Sequence, residues 1–216
     1  SQMATEEQQN PQEQQEQQDL KDYIRYLKER AFFEPQSATL HYNLGIAYAR
    51  KGLHEEAISE FKQAIECDPG FKEAHVNLGG LYFRCGQLEA CIEANHKALA
   101  LDPDLPMAHS NLGFAYVQQG RFEQAIEACK RALELTPDLF QAHNNLAAAY
   151  LQTNQPEQAI EASRKALELK PDFAPAHFNL AVAHLLLNDL EQARTHYRHA
   201  LDLGYPADDQ LEKALN

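Results

Sequence analysis

Five histidines, His41, His75, His109, His143 and His177, recur every thirty-four residues, and an asparagine stands two positions after each: Asn43, Asn77, Asn111, Asn145 and Asn179. The two columns offer different chemistry. Imidazole is a common metal ligand and a proton carrier near neutral pH. A carboxamide both donates and accepts hydrogen bonds, so it can hold a peptide group without reading the side chain attached to it. A helix turns about 100° per residue, which points residues two apart in nearly opposite directions. His75 shares its face with Leu78, Gly79 and Tyr82, at the spacings that must pack on a second helix. Asn77 shares its face with Glu73, Gly80 and Arg84.

A metal role for the histidine column fails on distance. Helices in successive stacked units lie about 8–10 Å apart, whereas two imidazoles on one zinc ion each need a nitrogen about 2 Å from it. The five histidines are therefore expected to be amphipathic rings packed inside each unit. His196 and His199 share a helical face at a spacing of three, but the sequence assures no nearby cysteine or third ligand, and they read as surface residues. No metal and no cofactor are expected.

The elements that position both columns follow from the same period. Tyr48, Tyr82, Tyr116, Tyr150 and His184 share one register, and small residues recur as Ala57, Cys91, Ala125, Ala159 and Ala193, then as Ala64, Ala98, Ala132, Ala166 and Ala200. Small residues let two helices approach closely. Between the two halves of each unit stand Gly52, Gly86, Gly120, Asn154 and Asn188, the residue types that end a helix in the left-handed conformation. Pro69, Pro103, Pro137 and Pro171 stop the second helix of four units, and Tyr205 followed by Pro206 takes that place in the fifth. Each unit is thus helix, tight turn, helix.

This pattern resembles the tetratricopeptide repeat family: the leucine, the glycine or alanine and the tyrosine of the first helix, the two small positions of the second and the closing proline. The resemblance covers about residues 38–205 in five copies, 38–71, 72–105, 106–139, 140–173 and 174–207. Histidine replaces the family's usual tryptophan or tyrosine near the start of the first helix. The resemblance implies an all-α fold, a right-handed superhelical solenoid of helix-turn-helix units. The asparagine column, in units reading AHSNLG and AHNNLA, is similar to the ladder of superhelical repeat proteins such as the repeat domain of O-linked N-acetylglucosamine transferase. In that group it lines a concave peptide groove; the alternative, compatible with it, is that the asparagines bridge neighbouring repeats through water or amide contacts.

The flanks read differently. Residues 1–18 hold many glutamines and glutamates with almost no apolar residue, a composition expected to be disordered. Residues 19–35 carry Ile24, Leu27 and Phe32 among charges, which predicts an amphipathic helix stopped by Pro35 and covering the open end of the array. Residues 208–216 predict a short capping helix at the other end.

On the groove, the predicted peptide-binding set is the five asparagines with Tyr42, Ile46, Arg50, Phe83, Arg84, Phe114, Val117, Gln118, Leu151, Gln152 and Phe178. It implies an extended protein or peptide partner with apolar anchors and acidic residues near the first two units. Chaperone-binding relatives hold a terminal carboxylate with cations beside the asparagines. Here the matching positions are neutral: Tyr42, Val76, Ser110, Asn144 and Phe178.

The net charge of −13 opposes the counterion release that drives nucleic-acid binding, and no apolar run is long enough to insert in a membrane. Four cysteines without a paired framework favour a reducing, cytoplasmic setting, although Ser1-Gln2 before Met3 reads as a cloning remnant that leaves a native leader or anchor open. By register Cys67 and Cys91 are expected to be buried, and Cys85 accessible. No P-loop, dinucleotide turn, serine elbow or zinc motif is present, and too few residues follow Tyr205 for a catalytic domain. The reading is a non-catalytic scaffold for an extended partner segment. The alternative is a structural module that forms homo-oligomers through its terminal helix or groove, motivated by Tyr23, Tyr26, Phe32 and Phe33.

Overall fold

The computed structural model describes residues 10–216, and residues 1–9 lie outside the described range. The described residues are all-α: α1 (Pro11–Phe33), α2 (Ala38–Arg50), α3 (His54–Cys67), α4 (Lys72–Arg84), α5 (Leu88–Leu101), α6 (Pro106–Gln118), α7 (Phe122–Leu135), α8 (Phe140–Gln152), α9 (Pro156–Leu169), α10 (Ala174–Leu186), α11 (Leu190–Asp202) and α12 (Asp209–Leu215). None of them is long and apolar enough to cross a membrane. The chain divides into two compact units, Ser1–Cys85 and Gly86–Asn216. The division falls inside the second expected repeat, at its turn.

The left-handed residues lie where the sequence places them. Gly52, Gly86 and Gly120 have φ of 81°, 73° and 75°, and Asn154 and Asn188 have 55° and 59°. After each of α2, α6, α8 and α10 the chain closes with a backbone bond from the residue beyond the left-handed one to the tyrosine-register carbonyl. These bonds are Leu53 to Tyr48 at 2.9 Å, Arg121 to Tyr116 at 2.9 Å, Gln155 to Tyr150 at 2.8 Å and Asp189 to His184 at 2.8 Å. Such a closure satisfies carbonyls that a helix end would orphan, and it reverses the chain within three residues.

In the first unit α2 and α3 pair through Ala57 and Ala64, both fully buried, and Phe61 fills the space beside Gly45. A Cβ on Gly45 would stand 2.8 Å from the Phe61 ring. The α1 helix covers α2 by burying Ile24 and Leu27 against Leu44, Ala47 and Tyr48. Its outer face leaves Phe32 80% and Phe33 78% exposed.

Residues 11–18 are not a disordered tail. They form the first turns of α1, with the Asn10 side chain accepting from the Gln12 amide at 3.1 Å and amide–carboxylate bonds from Gln15 to Asp19 at 2.8 Å and from Gln18 to Asp22 at 3.0 Å. Low hydrophobicity denies this stretch a core, but glutamine and glutamate are good helix formers. Extending a helix that is already anchored needs no new nucleus.

In the second unit the pairs are α6/α7, α8/α9 and α10/α11, with α5 packed on α6. The small-residue columns are fully buried at Ala98, Ala125, Ala132, Ala159, Ala166, Ala193 and Ala200. The α12 helix closes the far end by burying Leu211 and Leu215 against Ala181, Ala193 and Tyr197. The Tyr197 hydroxyl donates to Glu212 at 2.7 Å and accepts from the Asp208 amide at 3.0 Å, while Arg194 donates to the Leu215 carbonyl at 2.8 Å.

Gly113 of α6 sits where an added Cβ would overlap the sulfur of fully buried Cys129 in α7. Gly113→Val is therefore expected to lower stability by about 1–3 kcal/mol through overpacking, and Cys129→Ala in the same chain should return most of the loss. Urea unfolding followed by circular dichroism measures both.

Candidate protein-binding face

The histidine column is a set of clasps. Each histidine is the fourth residue of its helix and donates from Nε2 to the carbonyl of the proline six residues earlier. The pairs are His41 to Pro35 at 2.9 Å, His75 to Pro69 at 3.2 Å, His109 to Pro103 at 2.8 Å, His143 to Pro137 at 2.8 Å and His177 to Pro171 at 3.1 Å. Helices α4, α6, α8 and α10 have no side-chain cap at their first turn. The imidazole clasp ties down the chain entering the helix instead. A carbonyl only accepts, so Nε2 carries the proton, and in the neutral ring Nδ1 is left with a lone pair.

What meets Nδ1 differs between units. In the first, the Glu60 carboxylate lies 2.7 Å from His41 Nδ1. Burial alone would lower the His41 pKa, but the Glu60 hydrogen bond and charge and the Pro35 carbonyl outweigh it and raise the value. In the fifth, His177 faces a group of histidines. Ring centroids lie 6.1 Å from His177 to His196, 5.3 Å from His177 to His199 and 5.4 Å from His184 to His196. Burial, then the neighbouring histidines and Arg164, push His196 down to about 4 and keep it neutral at pH 7. His199 is exposed as expected, but reading His196 as a surface residue is corrected: it is half-buried, and His177 supplies the third imidazole that the sequence did not assure.

The asparagines face away from the clasps, and most of their amide groups bind the preceding repeat. Asn77 Nδ2 donates to the Tyr42 hydroxyl at 3.0 Å and to the Glu73 carbonyl at 2.9 Å. Asn145 donates to the Ser110 carbonyl at 3.2 Å, and Asn179 to Asn144 Oδ1 at 2.9 Å. Asn111 donates instead to fully buried Asn95 at 3.2 Å. The acceptors Tyr42, Ser110 and Asn144 occupy one register, the residue just before each preceding asparagine. Asn145 and Asn179 are buried at 7% and 9% exposure, whereas Asn43, Asn77 and Asn111 are half-buried.

The remaining predicted residues divide by environment. Tyr42 packs between Phe61 and Phe71, with centroids 5.7 and 4.7 Å away, and Phe178 stacks on Tyr205 at 4.4 Å. Both are packing residues. Ile46, Phe83, Phe114, Val117 and Leu151 are half-buried, while Arg50, Arg84, Gln118 and Gln152 are exposed at the ends of their helices. Within the second unit α6 touches α8 and α8 touches α10, so their asparagine faces line up side by side. A cleft of about 620 Å³ lies on the other side of α8, lined by His143, Leu146, Tyr150 and Lys165 among others. Cys91 and Cys129 are buried, with thiols pushed up by burial to about 11 and about 12. Cys85 is exposed, and Cys67, expected to be buried, is only half so because its helix end abuts the open turn at Pro35.

Residues 6–215 match the family model described as the Cilia and flagella-associated protein 70 C-terminal domain. The chain belongs to that family. Its fold is that of tetratricopeptide repeats, and it is a repeat domain of the protein-binding type. A structure of the APC/C hetero-tetramer Cut9-Hcn1 matches with a TM-score of 0.81 at 22% identity over 91% of this chain and 39% of that one. This chain thus spans about two fifths of the length of that relative. A MamA protein matches with a TM-score of 0.62 at 27% identity, covering 77% of this chain and 91% of its own. YrrB, a TPR protein with an unusual peptide-binding site, matches with a TM-score of 0.63 at 20% identity, covering 88% and 95%. No curated protein matches the chain.

The His41–Glu60 pair gives the first unit a pH signature. The folded pKa lies above the unfolded value near 6.5, so the pair's contribution is complete below that value and is lost as pH rises through the folded pKa. Relative to Glu60→Ala, which installs the residue of the next three units, the native chain should be more stable at about pH 5.5 and lose that advantage by about pH 8.5. Urea midpoints of the two chains across this range provide the measurement.

Proposed function

We propose that the domain is a non-catalytic adaptor that holds an extended segment of a partner protein on its first-helix face. The observation that carries this reading is the direct contact of α6 with α8 and of α8 with α10, beside which Phe114, Val117 and Leu151 remain only half-buried. An apolar strip bordered by exposed amides, Gln118 and Gln152, suits a chain that inserts alternate side chains and leaves its backbone at the rim. The first unit adds its own stretch, with Ile46 and Phe83 half-buried and Arg50 and Arg84 exposed for acidic partner residues.

The asparagines take two roles here. Asn145 and Asn179 fix the register of successive first helices, and half-buried Asn43, Asn77 and Asn111 are the amides a peptide reaches. Resemblance of the AHSNLG and AHNNLA units to the transferase repeat ladder supports the groove but not the grip of all five residues. The family description directs the search for the partner to ciliary and flagellar assemblies, and the absence of catalytic motifs from the sequence supports an adaptor within them.

The test is selection from a displayed library of unstructured peptides, followed by hydrogen exchange on the complex. Protection should fall on α6, α8 and α10, and Phe114→Ala or Leu151→Ala should weaken binding about tenfold, or 1.4 kcal/mol, at unchanged helicity. Protection confined to α7, α9 and α11 with affinity unaltered would sink the proposal.

A second reading rests on α1, where Tyr23, Tyr26, Phe32 and Phe33 are 43%, 51%, 80% and 78% exposed. An apolar patch of this kind suits self-association. Sedimentation should then show an oligomer that Phe32→Ser with Phe33→Ser dissociates. A monomer at all concentrations removes this reading.

A further inference from the structure

The fifth repeat departs from the other four at three positions at once. The register of His196 holds Glu60, Ala94, Ala128 and Ala162 elsewhere; that of His199 holds Gln63, Lys97, Arg131 and Lys165; that of His184 holds tyrosine in all four. His196 and His199 stand beside His177, the clasp present in every unit, and His184 stacks on His196. The first unit fixes what that register faces, because there Glu60 reaches His41 Nδ1. In the same register His196 stands beside His177, with ring centroids 6.1 Å apart.

The geometry points to a divalent transition-metal site of the zinc class, formed by His177 of α10 with His196 and His199 of α11. One ring nitrogen from each lies within 4.8 Å of the others. Tetrahedral zinc with nitrogens about 2.0–2.1 Å away sets them roughly 3.3 Å apart, so small side-chain rotations close the site. The protons are already arranged for it. The His177 bond to the Pro171 carbonyl holds the proton on Nε2, the carbonyl support typical of metal-bound imidazole. Nδ1 of His177 and Nδ1 of His196 are both buried without a hydrogen-bond partner, a state that a bound cation relieves.

Three imidazoles without a carboxylate or thiolate select the borderline ions zinc, nickel and copper over magnesium or calcium. His199 is exposed, so the fourth position opens to solvent and takes water. Arg164 and Asp189 are the charged groups that act on the adjoining histidines, with opposite signs. The ion ties α11 to α10 beside the capping helix α12.

The test uses the full chain with any affinity tag removed, stripped with chelator and titrated calorimetrically with zinc chloride. Cobalt is the spectroscopic probe. One zinc per chain should bind, cobalt should show the intense visible bands of tetrahedral coordination, and zinc should raise the thermal midpoint. His196→Ala and His199→Lys restore residues that other repeats carry at these positions, so the double variant should fold with an unchanged midpoint without metal. Its zinc affinity should fall at least a hundredfold. His109→Ala, in a unit that lacks the other two histidines, should keep the wild-type affinity. Binding of equal strength in the double variant, or no stoichiometric binding by the native chain, overturns the site.

Discussion

The contact on which the rest of this structure depends is the close approach of two helices at columns of small residues. Fully buried positions such as Ala57, Ala125, Ala159 and Ala193 remove the side chains that would hold the helices apart, and Gly45 and Gly113 let a partner residue enter the space so created. Packing at this separation leaves little freedom of rotation, since turning either helix would drive larger side chains into the gap. The asparagine and histidine faces are thereby fixed on opposite sides. The clasp then fixes where the chain enters each helix, and the left-handed turn fixes where it leaves.

The parts of this arrangement legible in the sequence depend on residues close along the chain. Gly52, Gly86, Gly120, Asn154 and Asn188 announce the turns because few other residue types tolerate positive φ. The prolines announce helix ends for a similarly local reason. Reading residues 11–18 as disordered went wrong because composition reports whether a segment can build a core, not whether it can continue a neighbouring helix. The asparagine bonds were legible only as one of two alternatives, for another reason. Asn145 meets Ser110 and Asn179 meets Asn144 thirty-five residues back along the chain, a pairing that exists only once repeats are stacked. A sequence shows an amide on a helix face but not whether the next helix is near enough to use it.

Burial of the last two asparagines changes what the column means. A buried amide is costly unless bonded, and these two meet that demand through groups of the preceding repeat. Such bonds are directional where apolar packing is not, so they hold successive first helices in one register instead of letting them slide. A groove needs that order, because apolar pockets spaced for an extended chain recognise nothing if their spacing drifts. In the proposed groove the column would thus contribute to recognition even where it touches no partner.

Repetition also explains how a separate site can arise in one repeat without disturbing the array. His177 has the same clasp to fulfil as His41, His75, His109 and His143, and the bond to Pro171 shows that it does so. Its second nitrogen is not needed for that role. In the middle repeats it faces an alanine register, and in the first it meets Glu60. Placing histidines at 196 and 199 therefore adds ligands around a nitrogen whose orientation the fold already determines, and ligand orientation is what a metal site most needs from its protein.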